Sequence, residues 1–105
     1  MSGERPINLA PEHRRLVLAI LRAHLPAEAS AWVFGSRVTG RARRYSDLDL
    51  AIDAGRPLSL DELAVLAEAF RESDLPYRVD VVDWRGIDDR FRRIVDAERT
   101  ALPEC

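Results

Sequence analysis

The stretch from Trp32 to Asp53, reading W-V-F-G-S-R-V-T-G-R-A-R-R-Y-S-D-L-D-L-A-I-D, constrains this chain more than any other part of it. A Gly-Ser pair, Gly35-Ser36, follows a short apolar run; ten residues later two carboxylates one residue apart, Asp47 and Asp49, open a second apolar run. Side chains in a strand alternate between faces, so Asp47, Asp49 and Ala51 share one face while Leu48, Leu50 and Ile52 share the other. The apolar set can enter a core while both carboxylates turn toward solvent or a ligand. Two like charges that close repel, and a hard divalent cation such as Mg²⁺, which favours oxygen donors and substrate phosphates, would relieve them. Taken alone, a D-x-D pair reads more simply as an Asp-rich turn entering a strand.

Gly35-Ser36 changes that balance. A glycine after a strand lets backbone approach a ligand closely, and a serine opening a short helical turn offers a hydroxyl and the free N–H groups that bind anions. By itself the pair is an ordinary turn with a helix cap. Combined with the spaced carboxylates it outlines a phosphate-and-metal site, although no Walker A string occurs.

Gly35-Ser36, ten residues and Asp47-Leu48-Asp49, with Arg37, Gly40 and Ser46 between, resemble the G-S-x10-D-x-D signature of the DNA polymerase β-like nucleotidyltransferases. The resemblance spans roughly Ala29 to Asp83, and the chain's brevity points to the minimal nucleotidyltransferase (MNT) branch. It implies an α/β (α+β) fold, a small mixed sheet with flanking helices, and a two-metal site using Mg²⁺ with ATP as substrate. It also implies a partner, since members of that branch pair with a helical HEPN-domain toxin encoded nearby, as antitoxins in hetero-oligomers. In such enzymes a third acidic residue sits on the strand after the helix that follows D-x-D, and V-D-V-V places Asp80 there. Residue chemistry agrees, because a charge among β-branched residues in mid-strand is rarely kept without a partner. Asp83 competes for this role but lies nearer the strand end, where it more simply starts a turn.

The expected chemistry follows from the resemblance. Asp47 and Asp49 hold one metal and share a second with Asp80, the ions about 3.5–4 Å apart. A hydroxyl of the partner toxin, a tyrosine, attacks the α-phosphorus of ATP, takes AMP and releases pyrophosphate. Gly35 and Ser36 hold the outgoing phosphates, and Arg37, directly after the pair, contacts the same anion. Arg41, Arg43 and Arg44 read first as a solvated loop, with a triphosphate clamp as the alternative. Two rival functions remain at this stage: a non-catalytic antitoxin acting by occlusion, and an aminoglycoside-type nucleotidyltransferase whose acceptor domain another subunit would supply.

Composition narrows the setting. At 105 residues the chain is expected to be a single domain over 1–105, and 47% hydrophobic with 32% charged residues is ordinary for a globular chain. A net charge of −2 provides no basic field, so no direct nucleic-acid binding is expected. All sixteen basic residues are Arg, read first as coding bias. The single Cys105 cannot form an internal disulfide, which suits a reducing cytoplasm. The longest apolar run, Leu16 to Leu21, is far short of the ~20 residues of a membrane span, and no N-terminal signal is apparent.

In chain order, residues 1–9 read as a loose lead-in. Pro11 to His24 reads as an amphipathic helix burying Leu16, Ile20 and Leu21, with Leu25 beyond it, and with His13 and His24 on the surface. Ala29 to Phe34 is a strand, with Trp32 and Phe34 as core residues. Ser36 to Thr39 is one helical turn ended by Gly40. Ser59 and Glu62 form a capping box before a helix over Leu60 to Arg71 that buries Leu63, Leu66, Ala67 and Phe70. Arg78 to Trp84 is the next strand, and a last helix from Gly86 onward, with Asp88 or Asp89 at its start and Leu102-Pro103 at its end, is expected to add no chemistry.

Overall fold

The computed structural model describes residues 6–102; Cys105, Pro103 and the first five residues of the expected lead-in lie outside the described residues. Strand β2 (Leu48–Asp53) runs through the middle, antiparallel to β1 (Ser30–Phe34) and parallel to β3 (Val79–Asp83). A two-residue strand β4 (Thr100–Ala101) pairs antiparallel with the outer edge of β1, giving a mixed sheet of order β3-β2-β1-β4. The sheet is the small mixed one that the resemblance implies. β4 was not legible in sequence, because two residues are too few to show a period-2 pattern.

Helix α1 (Pro11–His24) and helix α3 (Leu60–Arg71) cover one face of the sheet. Leu48, Leu50 and Ile52, with no exposed surface, meet Val33, Val79, Val17, Leu66 and Phe70 there. Helix α4 (Asp89–Glu98) covers the opposite face, where Phe34, Ala51 and Val95 pack with Trp32, Val82, Trp84 and Phe91. Trp32 and Phe34 are therefore core residues, as expected. Strand alternation sends Leu50 to one layer and Ala51 to the other. Truncating a leucine as enclosed as Leu50 costs about 3 kcal/mol.

Both long helices have the predicted bounds, but α1 is rotated relative to expectation. Its buried residues are Val17, Leu18 and Leu21, while Leu16 and Ile20 are half-buried. Leu16, Val17 and Leu18 in a row, with Ile20 and Leu21 beyond Ala19, fit two neighbouring stripes, and α3 decides which one faces inward. His13 is not simply a surface residue, because its Nδ1 lies 3.0 Å from the Tyr77 hydroxyl and the two rings meet edge to face. His24 is exposed, as expected, with Nδ1 on the Ile20 carbonyl. Nor is the end of the lead-in loose: Leu9 is buried, and the Asn8 N–H donates to the Arg37 carbonyl at 2.7 Å. No helix among the described residues is long and apolar enough to cross a membrane.

Candidate nucleotide and metal site

The site begins where β1 ends. Gly35 takes φ 79°, ψ −153°, a region open essentially only to glycine. A Cβ there would stand 2.4 Å from Asp49 Oδ2, so the backbone lies directly against that carboxylate. The Gly35 carbonyl accepts from the Val38 and Thr39 N–H groups, both at 3.0 Å, which winds the one-turn helix α2 (Ser36–Thr39). Gly40, at φ 87°, ends it as expected.

Sheet register then gathers the acids. Asp49 lies opposite Phe34 on β1 and opposite Asp80 on β3, so two carboxylates stand side by side on neighbouring strands. Asp47 immediately precedes β2 and reaches the same cluster through Arg78, whose guanidinium is 3.6 Å from Asp47 Oδ2 and 3.2 Å from Asp80 Oδ1. Partial burial, then the charges of Asp80, Asp47 and Glu98, push the Asp49 carboxyl up to about 6, with Arg78 opposing them. Asp83 serves a turn: its buried carboxylate accepts from the Leu58 N–H at 2.9 Å and the Arg85 N–H at 3.1 Å.

Arg37 departs from expectation. Its side chain is 5% exposed and turns into the protein, where Nη1 donates to the Asn8 carbonyl at 2.9 Å. Nε and Nη2 donate to the Ser46 carbonyl at 3.1 and 2.8 Å, and Nη2 also reaches the Arg44 carbonyl. The guanidinium carbon lies 4.0 Å from the centre of the Tyr77 ring. With its donors taken by carbonyls, Arg37 ties the loop before Asp47 to the chain entering α1 and has no fork left for a phosphate. Adjacency to Gly-Ser suggested a ligand contact, but a helical turn sends neighbouring side chains in different directions. Arg41, Arg43 and Arg44 are exposed, as a solvated loop requires.

Sequence reasoning missed Glu98. From the end of α4, thought to carry no chemistry, its Oε1 accepts the Gly35 N–H at 2.9 Å, across a sequence separation of 63. A lone glutamate on an amphipathic helix carries no local sign of such a bond.

The donor set suits a hard divalent cation. It consists of carboxylate oxygens, and a cation would offset both the burial and the repulsion that lift Asp49. Among the described residues, no three such side chains form a ready-made cage. Asp47 and Asp80 instead share the exposed Arg78.

Comparison with known proteins agrees with this architecture. Residues 19–103 match the family described as Polymerase beta, Nucleotidyltransferase. A Haemophilus influenzae protein named Probable protein adenylyltransferase MntA is 43% identical over 95 residues, which are 90% of this chain and 82% of that protein. A chain from a toxin–antitoxin crystal structure with AMP-PNP superposes with a TM-score of 0.75 at 27% identity, covering 88% of this chain and 73% of the other. Another, from a complex of a tri-AMPylated Shewanella oneidensis HEPN toxin with an MNT antitoxin, gives 0.67 at 25% identity, covering 88% and 70%. The glycine turn against Asp49 and the Asp49–Asp80 register pair thus sit in a shared fold, and the chain belongs to the polymerase β-like nucleotidyltransferase family, in its minimal, MntA-like branch.

Proposed function

We propose that this chain is a single minimal nucleotidyltransferase domain that transfers AMP from ATP to a tyrosine hydroxyl of a HEPN-type toxin, and so acts as its antitoxin in the cytoplasm. The observation that carries the reading is the pairing of Asp49 with Asp80 on parallel strands beside Gly35. The relatives supply the direction, one being named as a protein adenylyltransferase and another lying in a complex with an AMPylated HEPN toxin.

Asp47 and Asp49 would hold Mg²⁺ and share a second ion with Asp80. When bound, the metal neutralises polyphosphate charge and makes the acceptor hydroxyl more acidic. Ser36 would hold the outgoing phosphates, while Gly35, whose N–H Glu98 already holds, takes part through its missing side chain, which lets the backbone stand against Asp49. The acceptor oxygen bonds to the α-phosphorus, the bond to the bridging oxygen breaks, and pyrophosphate leaves. Arg37 keeps the Asp47 loop in place from beneath.

The test is incubation with the cognate toxin, Mg²⁺ and α-labelled ATP, comparing the natural chain with D47N/D49N by intact mass. The reading expects an added AMP on a toxin tyrosine that disappears with the double variant. An unmodified toxin silenced equally by both versions would replace it with neutralisation by binding alone.

A further inference from the structure

The capping box of α3 shows how a helix start is normally closed. Ser59 Oγ accepts the Glu62 N–H at 3.0 Å while Glu62 Oε1 accepts the Ser59 N–H at 2.8 Å. In α2 the corresponding residue is Val38, which has no acceptor, and Gly35 has no side chain. The N–H at the cap is nevertheless held by a carboxylate, that of Glu98, in the same relation that Glu62 has to Ser59.

Both ends of that bond are fixed by one strand. β1 delivers Gly35 at its end, and β4, starting two residues after Glu98, pairs with β1 at Val33↔Thr100 and Trp32↔Ala101. Between them Arg99 lies over Trp32 at 4.4 Å and over Trp84 at 4.9 Å, and the Arg99 N–H donates to the Val95 carbonyl at 2.8 Å. The end of α4 is anchored by these contacts whether or not Glu98 reaches Gly35. The bond therefore adds little to α4 and fixes the glycine turn instead. A bond made at the backbone position that stands against Asp49 points to the site rather than to the core.

We infer that Glu98 is a positioning residue of the nucleotidyl transfer reaction, holding the Gly35 N–H so that the glycine turn keeps its place against Asp49. The inference deepens the proposed reaction and rests on it for its kinetic consequence, whereas its structural part stands alone. A displacement of about 1 Å in a reacting arrangement is enough to slow it by one to two orders of magnitude.

The experiment compares the natural chain, E98A and E98Q, each with its toxin partner, Mg²⁺ and ATP, and follows Gly35 amide exchange and thermal midpoint in parallel. E98A is expected to lower kcat about tenfold with KM for ATP changed by less than about threefold, and to speed Gly35 exchange about tenfold. E98Q retains the carbonyl acceptor and is expected to recover most of both losses. Unchanged Gly35 exchange in E98A overturns the inference, as does E98Q as impaired as E98A, or a loss of kcat that only follows a fallen midpoint. If the natural chain transfers no AMP, the proposed reaction fails and Gly35 exchange alone decides the role of Glu98.

Discussion

The starts of α2 and α3 solve the same problem in opposite ways. At α3 everything is local: Ser59 and Glu62 cap each other, and Arg56 grips Glu62 through two nitrogens at 2.9 and 2.7 Å, holding its carboxyl down at about 2. At α2 no side chain of the helix caps its own start. Its cap is a bare glycine, its N–H is held by Glu98, and the loop behind it is held by Arg37 through the Asn8 and Ser46 carbonyls. A purely structural helix can crowd its own start with side chains. On the proposed reaction, the turn at Gly35 leaves room for phosphates by keeping its own side chains away and taking support from distant parts of the fold.

The largest effect should follow from putting a side chain where the site turn leaves none. G35A places a methyl group 2.4 Å from Asp49 Oδ2, at a φ of 79° that alanine rarely adopts. Either the turn or Asp49 must move, and AMP transfer is expected to fall by about two orders of magnitude. Initial-rate assays with the toxin check this, and circular dichroism establishes that the sheet persists. A variant within threefold of the natural rate would mean that the turn's closeness to Asp49 has no part in the chemistry.

Arg37 is next, and its effect should appear in stability first. R37A removes a buried guanidinium and leaves the partly buried carbonyls of Asn8, Ser46 and Arg44 without their donor, at an expected cost of about 2 kcal/mol. Urea unfolding measures it. A phosphate contact would give the reverse pattern, a raised KM for ATP with unchanged stability.

That contrast explains which features could be read in the sequence. Ser59 and Glu62 lie three residues apart, so their reciprocal bonds follow from spacing alone, and the bounds of α1, α2 and α3 were legible from caps, proline, glycine and apolar period. Asp47 and Asp49 stood out because strand alternation places them together, and Asp80 because a charge amid β-branched residues asks for a reason. The burial of Arg37, the reach of Glu98 to Gly35 and the pairing of β4 with β1 depend on contacts between segments far apart in sequence. Residue identity at either end carries no trace of such contacts.

The two regions should also titrate in opposite senses. The folded Asp49 carboxyl sits near 6 against an ordinary value of 3.8, so the native state binds the proton more tightly than the unfolded chain does. Its contribution to stability is complete below about pH 4 and is lost as pH rises through about 6. Half-exposure and solvent screening reduce the effect to about 1.5 kcal/mol. Glu62, held near 2 against 4.5, acts the other way: its contribution is present above about pH 4.5 and is lost as pH falls through about 2. Unfolding of the metal-free protein from pH 4 to 7 isolates the first effect, and D49N should flatten it. An unchanged slope in D49N would assign the pH dependence to other groups.

The smallest effect comes from the local cap, and it marks the boundary of the site. S59A removes the hydroxyl that accepts the Glu62 N–H and should cost about 1 kcal/mol in urea unfolding. It should leave AMP transfer within about twofold of the natural rate, because α3 packs on the face of the sheet opposite to the one that carries Asp49 and Asp80. Equal damage to activity from S59A and E98A would show that both helix starts tune the site only through the common fold. A loss of stability alone from S59A, beside a loss of kcat from E98A, separates a cap that closes a helix from one that aims a backbone at a carboxylate.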